Sequence, residues 1–172
     1  MGEINANVWA PWRMEYIEGL EQARDSGQCF LCRYRDSPQD DGPNHVLWRS
    51  PLTLTVLNRF PYTSGHLLVA PTLHCGQPEE LPEDMLLELA RRVRDAKRVL
   101  QGILQAEGFN IGMNLGRCAG AGLPDHLHWH VVPRWTGDTN FMAVTGGVRV
   151  IPQALEEIDQ KFRALAAQLG LP

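Results

Sequence analysis

Three of the chain's six histidines, His126, His128 and His130, stand at every second position of "DHLHWHVVPRW" (125–135). Side chains alternate across an extended strand, so this spacing sets three imidazoles on one side while Leu127, Trp129 and Val131 face the other. The residues leave two chemistries open. Neutral imidazoles on one strand face are common zinc ligands, and three of them could hold a catalytic ion in a zinc-dependent hydrolase. Alternatively, a neutral imidazole attacks phosphorus while its neighbours orient it and manage protons. Close-set imidazoles disfavour each other's protonation, and from an unperturbed pKa of about 6.5 a neutral central ring at physiological pH is easily arranged.

A second constellation is Cys29-x-x-Cys32 in "GQCFLCRY". It fits a redox pair, two buried thiols or half of a metal site, although the flanks lack the strand-to-helix context of a thioredoxin-like centre. Cys75 and Cys118 read as bystanders, and His45 as a surface loop residue.

Positioning these groups requires a sheet. "PLTLTVLN" (51–58) alternates as a strand, and "GHLLVAP" (65–71) reads as its hairpin partner. "FNIGMNLG" (109–116) and "HLHWHVVPR" (126–134) add two more strands. From Pro82 to about Ala106, Leu86, Leu89, Val93, Ala96, Leu100 and Ile103 fall at helical spacing, with Gly108 just beyond. Pro152 to Leu169 repeats the pattern. The class is α+β: an antiparallel sheet with one long helix and a C-terminal helix.

Bulk properties narrow the partners. A chain of 172 residues, 44% hydrophobic, suits one globular domain. The Pro, Gly and Asp cluster at 35–45 is an excursion within it rather than a linker. A net charge of −4 argues against a generic nucleic-acid surface. No apolar run is long enough for a membrane span, and the first residues do not read as an export signal. The expectation is a cytoplasmic protein whose cysteines are thiols or metal ligands rather than disulfides. Neither a Walker-type loop nor a dinucleotide-fold glycine fingerprint is present.

"HLHWHVV" resembles the histidine-triad (HIT) motif, His-x-His-x-His followed by two apolar residues. Further similarity covers most of the chain: "APWRMEYI", "CFLC", "LNRFPYTSGHLLVAPTLH", "NLG" before a glycine-rich turn, and "PRWTGDTNFMAVTGGVRV". Together these resemble the diadenosine-tetraphosphate phosphorylase branch of the HIT family. The resemblance implies a single HIT-like domain over 1–172 with an N-terminal extension over about 1–25, paired as a homodimer or a tetramer. It also implies nucleotidyl transfer on dinucleoside polyphosphates through a covalent nucleotidyl-histidine. Phosphorolysis of diadenosine tetraphosphate to ADP and ATP is the expected reaction, with nucleotide and phosphate as partners. Hydrolysis, nucleoside phosphoramidase activity and a non-catalytic nucleotide-binding module are the alternatives.

On this resemblance His128 is the nucleophile, His130 assists the leaving group, and His66 backs the triad. Asn58 matches a ribose contact; Asn114, Gly120, Gly122 and Trp135 match positions around the phosphates. Zinc-bearing relatives imply a structural zinc site of Cys29, Cys32, His74 and His126. Two departures stand out. Gly122 occupies a position where many members carry a phosphate-contacting Gln, which leaves backbone amides of the glycine turn as the substitute. Trp129 replaces the polar residue expected between the second and third histidines.

Overall fold

The computed structural model describes residues 29–138 and 151–171; the expected N-terminal extension and residues 139–150 lie outside them. The described elements are α1 (Phe30–Asp36), β1 (Val46–Arg49), β2 (Thr53–Leu57), β3 (Leu67–Pro71), α2 (Glu83–Leu104), β4 (Gly108–Met113), β5 (Trp129–Arg134) and α3 (Leu155–Gln168). All five strands form one antiparallel sheet in the order β1-β2-β3-β5-β4. The α+β class holds, as does the hairpin, in which Leu57 pairs with Leu67 and Thr53 with Pro71.

Strand alternation sorts the core into two layers. On one face Leu57, Leu67, Val69, Leu127 and Val131 meet α2 through Leu89, Ala96, Val99 and Leu100, and α3 through Ile158 and Phe162. On the other, Leu54, Val56 and Ala70 meet Leu31 and Tyr34 of α1. Every residue of β2 and β3 is therefore buried, and each fully buried leucine contributes about 2 kcal/mol. The catalytic-type residues occupy the α1 face, where α1 covers only part of the sheet.

Several element boundaries differ from the sequence expectation for local reasons. Ser50 Oγ accepts the amides of Leu52 and Thr53, so the chain turns there and β2 starts at Thr53. Gln105 ends α2 in the left-handed region at φ 50°, donating its amide to Gln101, and Gly108 opens β4 opposite Arg134. The ladder of β5 starts at Trp129, because the Leu127 amide donates instead to Cys75 O at 2.7 Å. Trp129 packs on the helix side, behind the histidines.

His45 is a correction to the surface-loop reading. Its side chain is 13% exposed and its Nδ1 lies 3.2 Å from Asp159 Oδ2, while Arg163 bridges Asp159 and the Val46 carbonyl. This latch ties α3 to the start of β1. Among the described residues, no helix is long and apolar enough to cross a membrane.

Candidate active site and metal centre

His66 arrives through the 58–65 loop, and Gly65 is what lets it. Gly65 has φ 77°, a backbone conformation that favours glycine, and a Cβ there would also push the Leu104 side chain, 2.5 Å away at Cδ1, aside. His66 is fully buried. Its Nδ1 accepts the Tyr62 amide at 3.1 Å and faces Asn58 Nδ2 at 3.2 Å. A ring nitrogen that accepts a backbone N–H carries no proton, so the His66 proton sits on Nε2. That Nε2–H donates to His130 Nδ1 at 2.9 Å.

With Nδ1 of His130 accepting, its proton is on Nε2, which is buried and has no partner among the described residues. An orphaned buried donor costs about 1–3 kcal/mol, a cost that an incoming acceptor such as a phosphate oxygen removes. Burial, then the neighbouring His128, holds His130 down to a pKa of about 4, so the ring is neutral at physiological pH.

His128 has the complementary tautomer. Its Nδ1–H donates to the His126 carbonyl at 2.9 Å, leaving an in-plane lone pair on Nε2. Burial lowers its pKa and keeps that lone pair unprotonated. The His128 and His130 rings stand edge to face, with centroids 4.9 Å apart. A nucleophilic lone pair and a hydrogen-bond donor thus lie side by side in a largely dry site.

His126 belongs to a different cluster. Its Nε2–H donates to Pro71 O at 2.9 Å, so its Nδ1 lone pair faces Cys29 Sγ at 3.1 Å, Cys32 Sγ at 3.5 Å and His74 Nδ1 at 3.2 Å. His74 Nδ1 also lies 3.3 Å from Cys32 Sγ, and all four ligand atoms fall within 4.8 Å of one another. Tetrahedral zinc with ordinary Zn–N and Zn–S bonds requires separations of about 3.3–3.8 Å between ligand atoms. The donors fit, and the backbone carbonyl on Nε2 is the usual outer partner of a ligating histidine. Burial pushes the Cys29 thiol up to about 11, a penalty on the thiolate that a divalent cation offsets. The four residues can hold a metal ion.

The structure therefore separates residues that sequence spacing had aligned. His126, His128 and His130 share a sheet face but do not converge on one ion: His126 joins the cysteines, while His128 and His130 are engaged by a carbonyl and by His66. The three-histidine catalytic zinc reading falls on this geometry. Asn58 is brought to the site as a support of His66, with its Oδ1 accepting the Phe60 amide. Asn114 directly follows Met113, the last residue of β4, whose Gly112 pairs with His130.

Gly120 and Gly122 lie on the exposed turn after β4, and Gly120 needs its φ of 88°. The amides of Ala119, Gly120 and Ala121 are taken up by Gly116 O and Arg117 O. These three amides therefore do not form the expected anion nest.

Trp135 is held by α2 and the following turn, its amide donating to Asp138 Oδ2 at 3.2 Å. It follows β5 at the far end from His128, about 20 Å along extended chain, and its indole N–H donates to Leu104 O at 3.3 Å. Sequence reasoning missed Tyr62, whose amide sets the His66 tautomer, and Pro71 O behind His126. Backbone groups leave no signature in residue type.

The HIT-domain family model matches residues 39–137. The AP-4-A phosphorylase of Mycobacterium tuberculosis is 40% identical over 153 residues, covering 87% of this chain and 78% of that protein. A more distant relative, the asymmetrical bis(5'-nucleosyl)-tetraphosphatase of Schizosaccharomyces pombe, is 32% identical over 55% of this chain and 52% of its own. Among solved structures, a Zn-bound histidine triad family protein from Mycobacterium smegmatis superimposes with a TM-score of 0.67 at 31% identity, covering 84% of this chain and 97% of that one.

Proposed function

This chain belongs to the HIT-domain family, and from that premise we propose that it cleaves dinucleoside polyphosphates by nucleotidyl transfer through His128, with inorganic phosphate as the final acceptor. The observation that carries the reading is the pair of tautomers: Nδ1–H of His128 fixed by the His126 carbonyl, beside a His130 whose Nε2–H lacks a partner among the described residues.

The first step forms a bond from His128 Nε2 to the α-phosphorus of one nucleoside and breaks the bond to the bridging oxygen. With diadenosine tetraphosphate the departing group is ATP. His130 Nε2–H donates to a phosphate oxygen as charge develops there. In the second step an oxygen of inorganic phosphate attacks the same phosphorus, the N–P bond breaks, and ADP leaves with His128 neutral again. The 40% identical relative is named for phosphorolysis, which supports phosphate over water.

Water at about 55 M against millimolar phosphate sets phosphorolysis back by roughly ten-thousandfold, about 5.5 kcal/mol. Burial of His128, 8% exposed, limits water at the adduct. Chromatographic product analysis tests the acceptor. The expected result is ADP plus ATP at a rate that rises with added phosphate. AMP plus ATP at a phosphate-independent rate, with no ADP, makes the protein a hydrolase.

The metal reading completes the site: Cys29, Cys32, His74 and His126 would hold zinc, which supplies structural cross-linking of α1 to the ends of β3 and β5. Closed coordination by four protein ligands leaves His128 to its own chemistry. Cys29→Ser should lower bound zinc and thermal stability together. A loss of about 3 kcal/mol corresponds to a Tm drop of roughly 6–12 °C at this chain length. A fully metalated Cys29→Ser protein with unchanged Tm contradicts the site.

Two copies would pair through β4, the sheet edge next to β5, whose Ile111 is 42% exposed; an apolar edge of this kind calls for a cover. Thiolate ligands suit a reducing cytoplasm, where we place the reaction.

A further inference from the structure

Tyr62 touches both members of the histidine relay. Its ring lies 4.7 Å from that of His66, with 30° between the planes, and 5.9 Å from that of His130, at 25°. The two imidazoles are joined edge to edge by their hydrogen bond, with centroids 5.1 Å apart. One aromatic face therefore spans the bond that assigns the His130 proton to Nε2.

A hydrogen bond at Nδ1 fixes one atom of an imidazole but leaves the ring free to tilt about that atom. The terminal torsion of histidine is broad and roughly two-fold, so little in the side chain itself opposes tilting or flipping. The tilt decides where Nε2–H points. An aromatic ring stacked on the imidazole restricts the plane, and offset stacking is a favoured geometry for such rings. Tyr62 also donates its backbone amide to His66 Nδ1. A single residue thus sets the His66 tautomer through its main chain and meets both ring planes through its side chain.

We propose that Tyr62 is a positioning residue of the transfer site, its ring holding His66 and His130 in the planes that aim the His130 Nε2–H at the reacting phosphate. The proposal rests on the transfer reading given above. Because the amide survives any substitution but proline and the aromatic face survives only an aromatic one, the two contributions of Tyr62 separate experimentally.

Tyr62→Leu removes the aromatic face while keeping apolar bulk; Tyr62→Phe keeps the face. For Tyr62→Leu the expected result is a kcat lower by roughly tenfold, about 1.4 kcal/mol, with KM unchanged. Tyr62→Phe should restore kcat. Nitrogen-resolved NMR of the histidines in the ligand-free protein supplies a readout independent of turnover. Wild type and Tyr62→Phe should each show one Nε2–H tautomer at His130. Tyr62→Leu should keep the Nε2–H tautomer that the His66 bond assigns, but shift and broaden the His130 ring-nitrogen signals as the plane is released, while His66 stays held by the amide.

An unchanged kcat in Tyr62→Leu, or a raised KM with kcat intact as expected of a nucleobase contact, overturns the proposal. So do His130 ring-nitrogen signals that Tyr62→Leu leaves unaltered. If wild type never forms a nucleotidyl-His128 adduct, the transfer reading fails by itself, and the NMR comparison still decides whether Tyr62 holds the relay.

Discussion

His128→Ala is expected to lose turnover by at least ~10⁴-fold, about 5.5 kcal/mol of transition-state stabilisation, because no other group can form the covalent intermediate. The variant should still fold. His128 is 8% exposed and among the described residues hydrogen-bonds the His126 carbonyl, so truncation costs about 1–3 kcal/mol. None of the four metal ligands is altered. The measurement pairs steady-state turnover with mass spectrometry after a brief quench without acid. Wild type incubated with a dinucleoside polyphosphate should carry a nucleotidyl adduct mapped to His128, and the variant none. Near-normal turnover in His128→Ala, or an adduct on another residue, sinks the mechanism.

The parts of this arrangement that the sequence made legible are those with a period or a side-chain type. Alternation in 51–58 and 65–71 located the hairpin, and helical spacing located α2 and α3 to within a few residues. Two short elements escaped. In the seven residues of α1 only Leu31 and Tyr34 are buried, too few to display a period, and β1 has four residues. The site follows the same division. Two cysteines and two histidines distant in sequence could be grouped only through family resemblance, and the fold brings them together. The tautomers, by contrast, are set by the carbonyls of His126 and Pro71 and the amide of Tyr62. Every residue offers those atoms, so only the fold selects them. His45 shows the reverse error: a loop-rich neighbourhood suggested exposure, whereas Asp159 on α3 claims the side chain.

His126 joins the two halves of the site. Its ring faces Cys29, Cys32 and His74, and its carbonyl accepts the His128 proton two residues on. Metal ligation and nucleophile orientation therefore meet in a single residue, the first histidine of the triad, without sharing an atom.

His130→Ala should cost less than His128→Ala, on the order of 10²–10⁴ in kcat, since it removes charge stabilisation and leaving-group assistance but spares the nucleophile. His130→Asn, which keeps an N–H donor, should recover part of that loss. The pH profile gives a second test. Burial sets the His130 pKa at about 4, against about 6.5 for an unperturbed imidazole. The folded protein therefore holds His130 neutral, with its Nδ1 accepting from His66, down to well below the ordinary imidazole range, and the acid limb of kcat/KM, which reports the free enzyme, should fall there too.

The sign for stability follows from the same depression. Between about 6.5 and 4 the unfolded chain binds this proton more readily than the folded one, so stability should decline as pH falls through that window and be complete above it. His130→Ala should flatten the decline. Losses equal to those of His128→Ala, or an acid limb near pH 6.5 that His130→Ala leaves in place, would mean that the donor beside the nucleophile is not His130.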